Sequence, residues 1–151
     1  MTDRLANYRP MALSVLRIVS GLLFLAHGTQ KFLSFPGGEH AGGGWAFAHP
    51  GAYAGLIELV AGALIALGLF TRPAAILASG SMAYAYFVVH QPQALLPIQN
   101  GGVTPALYAW IFLTVAVLGA GPWSLDALIA RRRGKAPAVT PERENALISA
   151  N

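Results

Sequence analysis

Apolar runs that approach membrane-spanning length carry Arg17, His27, Lys31, Glu58 and His90 within them or at their ends. A charge in hydrocarbon is costly, so ionisable residues in such runs pair with one another, face a packed interior and mark function. The chain must therefore fold so that these groups meet. The composition agrees with a membrane setting. Of 151 residues, 55% are hydrophobic and only 11% charged, against roughly 25% charged in a soluble domain. The absence of cysteine removes disulfides, thiol catalysis, thiolate metal sites and iron–sulfur ligation by this chain. Any redox chemistry needs a bound cofactor or a partner.

Four hydrophobic helices are predicted, at about 11–33, 52–70, 73–90 and 105–129, a span needing roughly 20 apolar residues. The expected fold class is all-α: a four-helix transmembrane bundle, antiparallel and up-and-down, over residues 1–130. A basic cytoplasmic tail, polar and disordered, follows over 131–151. Thr71-Arg72-Pro73 reads as a tight turn that makes spans two and three a hairpin. Pro10, Pro73 and Pro105 sit at or just before first turns, where a missing N–H costs nothing, and Thr104 reads as an N-cap. The first run ends in Gln30-Lys31-Phe32 and not in a small-residue cleavage site, so it reads as a span and not as a signal peptide.

The basic residues set the orientation. Arg4 and Arg9 precede span one, Arg72 separates spans two and three, and Arg131, Arg132, Arg133 and Lys135 follow span four. The positive-inside rule then places both termini in the cytoplasm, with membrane lipid and not nucleic acid as the partner of the basic flank. Residues 34–50, rich in glycine with Trp45 and Phe47, read as a mobile outer loop. Residues 91–104 read as an ordered one.

At 1.5 Å per residue, His27 and Glu58 fall at matching depths, roughly 9 Å below the outer surface. Lys31 lies one turn above His27, and His90 ends span three on the same side. On span one, Arg17, Ser20, Phe24, His27, Gly28 and Lys31 share a face. On span two, Gly51, Gly55, Glu58, Gly62 and Leu69 do the same, and the small residues allow close helix approach. On span three, Met82, Tyr86 and His90 repeat every four residues. Glu58 admits two roles, a pin between helices one and two or a functional carboxylate. Arg17 admits an inner-face structural role. Arg72 and Asp126, at inner helix ends, read as capping or pairing groups, and His40 and His49 carry little information. Two histidines and a carboxylate suit a transition metal, but there is no compact ligand spacing, and neither metal nor haem is expected. Nucleotide-loop, serine–histidine–acid and calcium-loop motifs are absent.

Leu16-Arg17 with Gly21, then His27-Gly28 and Lys31-Phe32, resembles the first helix of the DoxX family of small bacterial membrane proteins. Glu58 with Gly62 and Gly68-Leu69-Phe70-Thr71-Arg72 is similar to its second-helix pattern. Asn100-Gly101-Gly102 and Gly119-Ala120-Gly121-Pro122-Trp123-Ser124-Leu125-Asp126 extend the likeness over about residues 10–130. One departure is Val103, where the family commonly has glutamate after Asn-Gly-Gly. The resemblance implies a four-helix membrane protein linked to oxidoreductase systems, since some members are similar to the membrane subunit of a thiosulfate:quinone oxidoreductase. Fold transfers better than activity in such a family.

The leading expectation is thus a membrane subunit of a quinone-linked oxidoreductase. His27 and Glu58 would hydrogen-bond the quinone or relay its protons. Arg17, Lys31, Tyr86 and His90 would form the cofactor-binding set. The alternative is a non-catalytic scaffold or assembly partner for a soluble redox enzyme. A small-solute or proton pathway, which would need a homo-oligomer, is a third class.

Overall fold

Pro10 enters the first turn of α1 (Arg9–Leu33) at no hydrogen-bonding cost. The helix stops where Ser34 turns left-handed (φ 54°) and its N–H bonds Thr29 O. The computed structural model describes residues 6–38, 41–42 and 50–134. Among these, every regular element is helical: α2 (Pro50–Leu67), α3 (Thr71–Tyr84) running on as a π-helical turn (Ala85–His90), α4 (Val103–Leu118) and α5 (Leu125–Arg132). The expectations for the tail beyond residue 134, and for His40, Trp45, Phe47 and His49, lie outside the described residues.

By length and composition, only α1 among the described helices is long and apolar enough to cross a membrane. The apolar stretches Gly51–Leu67 and Val103–Leu118 are shorter. Span four is corrected most. A continuous helix over 105–129 does not form, because Gly119 (φ 93°) and Gly121 (φ 72°) adopt left-handed backbone and Pro122 follows. The chain restarts as α5, capped by Ser124 Oγ accepting from Ala127 N at 3.1 Å. Two smaller corrections concern turns. The link between α2 and α3 is Gly68–Phe70, so Thr71-Arg72-Pro73 lies inside the first turn of α3. Gly102 and not Thr104 occupies the N-cap of α4, with no side-chain cap bond.

α2 ends in a Schellman motif. Gly68 (φ 70°) takes the left-handed position, Leu69 N bonds Leu64 O at 3.0 Å, and Gly68 N bonds Ile65 O at 3.1 Å. Asp126 clasps this turn. Its backbone N–H donates to Gly68 O at 2.8 Å, and its two carboxylate oxygens accept from Phe70 N and Thr71 N, each at 2.9 Å. Two orphan donors at the start of α3 are thereby satisfied by an anion where the helix dipole favours one. Asp126→Asn leaves one of them without an oxygen. It should lower stability by about 1 kcal/mol and the melting temperature by a few degrees, with ligand binding unchanged. Loss of binding in a stably folded Asp126→Asn protein would contradict the capping role.

α1 packs along α2 and α3 along α4, while α2 meets α3 and α1 touches α4 only briefly. The α1–α2 contact is nearly backbone to backbone. A Cβ on Gly21 would lie 2.6 Å from Ala66 N, one on Gly62 would lie 2.6 Å from Leu25 N, and one on Gly28 would collide with Leu59 N. The small-residue face around Glu58 therefore packs on α1, and Gly28 opposite Leu59 sets His27 and Glu58 at the same level. Between α3 and α4, Ala74, Ala75 and Ala78 pack with Phe112 and Val115, and Phe24 of α1 completes the core.

Candidate functional site

Close approach of α1 and α2 puts Lys31 beside Glu58. Lys31 Nζ donates to Glu58 Oε1 at 2.7 Å. Glu58 is buried and the Lys31 side chain is 21% exposed. Glu58 Oε2 is also buried and has no hydrogen-bond donor among the described residues. Both residues line a cavity of about 730 Å³, within the roughly 300–1,000 Å³ usual for small-ligand pockets.

Each of the four long helices supplies part of its wall. α1 gives His27 and Lys31, and α2 gives Tyr53, Ile57 and Glu58. Met82, Ala85 and Val89 come from α3 and its π turn, and Thr104 and Pro105 from the start of α4. The wall is mainly apolar, and Lys31, Glu58, His27 and His90 are among its polar groups.

His90 is held by the loop after it. Its Nδ1 lies 2.9 Å from Asn100 O. A carbonyl only accepts, so Nδ1 carries the proton and, in the neutral ring, Nε2 is an acceptor. Asn100 is buried and organises that loop: Nδ2 donates to Ala94 O at 2.7 Å and Oδ1 accepts from Gly102 N at 2.8 Å. The Asn100-Gly101-Gly102 segment thus fixes both the histidine and the N-terminus of α4. A Cβ on Gly102 would press on the Tyr86 ring at 2.8 Å.

Of the residues singled out by sequence, His27, Lys31, Glu58 and His90 meet at one cavity. The partner of Glu58 is Lys31, while His27 makes an edge contact with Tyr108 (centroids 5.9 Å, interplanar angle 79°). Tyr86 is not brought to the cavity. The four-residue stripe holds for an α-helix, but the π turn from Ala85 to His90 bonds five residues back and winds wider. Ala85 and Val89 face the cavity instead, and Tyr86 packs on Gly102 and Phe87.

Arg17 is not brought there either. It is fully buried near the far end of α1. Its Nε donates to Ala120 O at 2.8 Å, Nη1 to Ile65 O at 2.5 Å and Ala66 O at 2.8 Å, and Nη2 to Trp123 O at 2.5 Å. These are carbonyls at the end of α2 and in the α4–α5 break, where a cation is favoured. Sequence reasoning missed Tyr108, 9% exposed, which stacks on Phe112 (5.5 Å, 15°) and meets His27. Its signal was a polar-tipped ring inside an apolar run.

The DoxX family model matches residues 12–91. An uncharacterized protein of Haemophilus influenzae is 44% identical over 127 residues, covering 82% of this chain and 95% of the relative. An uncharacterized membrane protein of Mycobacterium tuberculosis is 29% identical over 138 residues, covering 82% and 84%. No solved structure matches the chain. The family match over more than half of the chain, with a relative similar along nearly its whole length, makes this chain a membrane protein of the DoxX family.

Proposed function

We propose that this protein is the membrane subunit of a quinone-linked oxidoreductase system, holding a quinone in the cavity at the outer end of the helices. The observation that carries the reading is a largely apolar cavity lined by Lys31 and the buried Glu58 with which it pairs. The residues present fit the group. Lys31 has three N–H donors and spends one on Glu58 in the described contacts, which leaves donors for a ligand carbonyl. The bound group would supply reversible uptake of electrons and protons. Glu58 holds Lys31 charged and oriented. His27, exposed on the cavity wall, is the side chain placed to pass a proton between the ligand and the outside.

In this reading the four long helices form an antiparallel transmembrane bundle in the inner membrane, with both termini cytoplasmic. Thr71 to His90 is continuously helical and reaches about 30 Å at 1.5 Å per residue. Reporter fusions after residue 140 and within the loop around residue 40 should mark opposite sides. Both on the same side would refute the topology.

The site is tested with Glu58→Gln, which keeps the shape and removes the charge that orients Lys31. Titration of the purified protein in nanodiscs with a benzoquinone should show affinity weakened about tenfold, or about 1.4 kcal/mol, in a protein that still folds but melts a few degrees lower because the ion pair is broken. Wild-type affinity in the folded variant would remove Glu58 from the ligand site, and no binding by the wild type would overturn the quinone reading and leave a scaffold for a soluble redox enzyme.

A further inference from the structure

A second hollow lies beside the cavity. It is a groove of about 300 Å³ between α1 and α4, the seam at which these two helices touch only briefly. Val19 and Leu23 form one side, Leu107 and Ile111 the other, and Tyr108 and Thr104 lie at its head. The lining is almost wholly apolar. Its inward hydroxyl, Ser20 Oγ, is already used, donating to Leu16 O at 2.7 Å. The groove therefore makes no polar demand on an occupant along its length. Thr104 lines both the groove and the cavity, and the contact between His27 and Tyr108 joins a cavity residue to a groove residue. The two spaces share a wall at the point where the polar lining gives way to hydrocarbon.

We infer that the groove between α1 and α4 seats the hydrocarbon tail of the same lipophilic ligand whose head occupies the cavity, with Thr104 and Tyr108 at the junction. The inference rests on the proposed quinone reading and adds where the ligand leaves the protein. The neighbouring seam between α1 and α2 offers no such exit, because Gly21, Gly28 and Gly62 bring the two backbones together. Inside a bilayer the tail gains no transfer free energy by entering the groove. What holds it there is packing and attachment to the head.

The test uses a benzoquinone with a photoreactive group on an alkyl tail, added to the full-length protein in nanodiscs. Labelled residues are mapped by mass spectrometry, with and without a tailless benzoquinone. Labelling should fall on Leu16–Leu23 and Leu107–Ile111. A tailless competitor at about ten times its Kd should lower that labelling about tenfold by mass action. Val19→Trp, at a half-exposed groove position, should lower it by a similar factor and leave tailless binding unchanged. Groove labelling that the competitor does not reduce would make the groove an ordinary lipid acyl site and overturn the inference. Competed labelling between α2 and α3, at Tyr53, Ile57 or Tyr84, would also overturn it while the quinone reading stands. If the competitor reduces labelling nowhere, both fall.

Discussion

Arg17→Leu is expected to be the most damaging single substitution in the chain, with little or no folded protein recovered at moderate temperature. The guanidinium is fully buried and donates to four backbone carbonyls drawn from Ile65, Ala66, Ala120 and Trp123. It therefore ties α1 to the end of α2 and to the break between α4 and α5. A buried acceptor left without its donor costs about 1–3 kcal/mol, and leucine supplies none. Part of this is recovered where carbonyls relax or meet water. A net loss of several kcal/mol would lower the melting temperature by on the order of 10 °C.

Arg17→Lys separates charge from shape. Lysine keeps the cation but replaces a planar five-donor fork with a compact ammonium that cannot reach acceptors spread over two chain segments. Its stability should fall between wild type and Arg17→Leu. The measurement is thermal unfolding followed by size-exclusion chromatography. A stable Arg17→Leu protein that no longer binds benzoquinone would return Arg17 to the ligand site.

Arg17 also illustrates what the sequence could convey. Its place in the polar stripe of the first helix said that it faces inward, and both a structural and a cofactor-tuning role were consistent with that. The choice between them depends on carbonyls released by Gly68, Gly119 and Gly121, and helix-breaking geometry of this kind is set by tertiary contacts as much as by residue type. The same glycines hid the end of α4. Leu118 and Leu125 are joined by a segment apolar enough to read as a continuing helix, but the left-handed backbone at Gly119 and Gly121 breaks it.

The end of the helices that carries the cavity was more legible. Depth counting needs only the helix rise; it matched His27 with Glu58 and put Lys31 one turn above and His90 at a helix end on the same side, and the four line one cavity. Periodicity served less well on α3, because the π turn at Ala85–His90 is invisible to a 3.6-residue pattern and moved Tyr86 off the cavity. The pairing of Glu58 with Lys31 instead of His27 follows from side-chain reach. Lysine one turn further out folds back along α2 past Gly55, where a Cβ would lie 2.9 Å from Lys31 Cδ.

Lys31→Met should destabilise the protein far more than the double variant Lys31→Met/Glu58→Met. The pair is 2.7 Å apart with Glu58 buried, and removing the cation leaves a carboxylate with neither Coulombic partner nor donor among the described residues. Breaking a buried pair from one side costs about 3–5 kcal/mol, whereas replacing both members by apolar residues of similar volume is often neutral or better. The partial exposure of Lys31 places the single variant near the lower end of that range. The difference between the double variant and the sum of the singles, Glu58→Met included, should show a coupling within about 0.5–3 kcal/mol. Equal stability of Lys31→Met and wild type would mean that the carboxylate has another source of charge compensation. The double variant also separates pin from function. With stability restored and the Lys31 donor gone, benzoquinone binding should be lost. A stable double variant that binds benzoquinone like the wild type would make the pair a helix-to-helix pin and remove it from the ligand site.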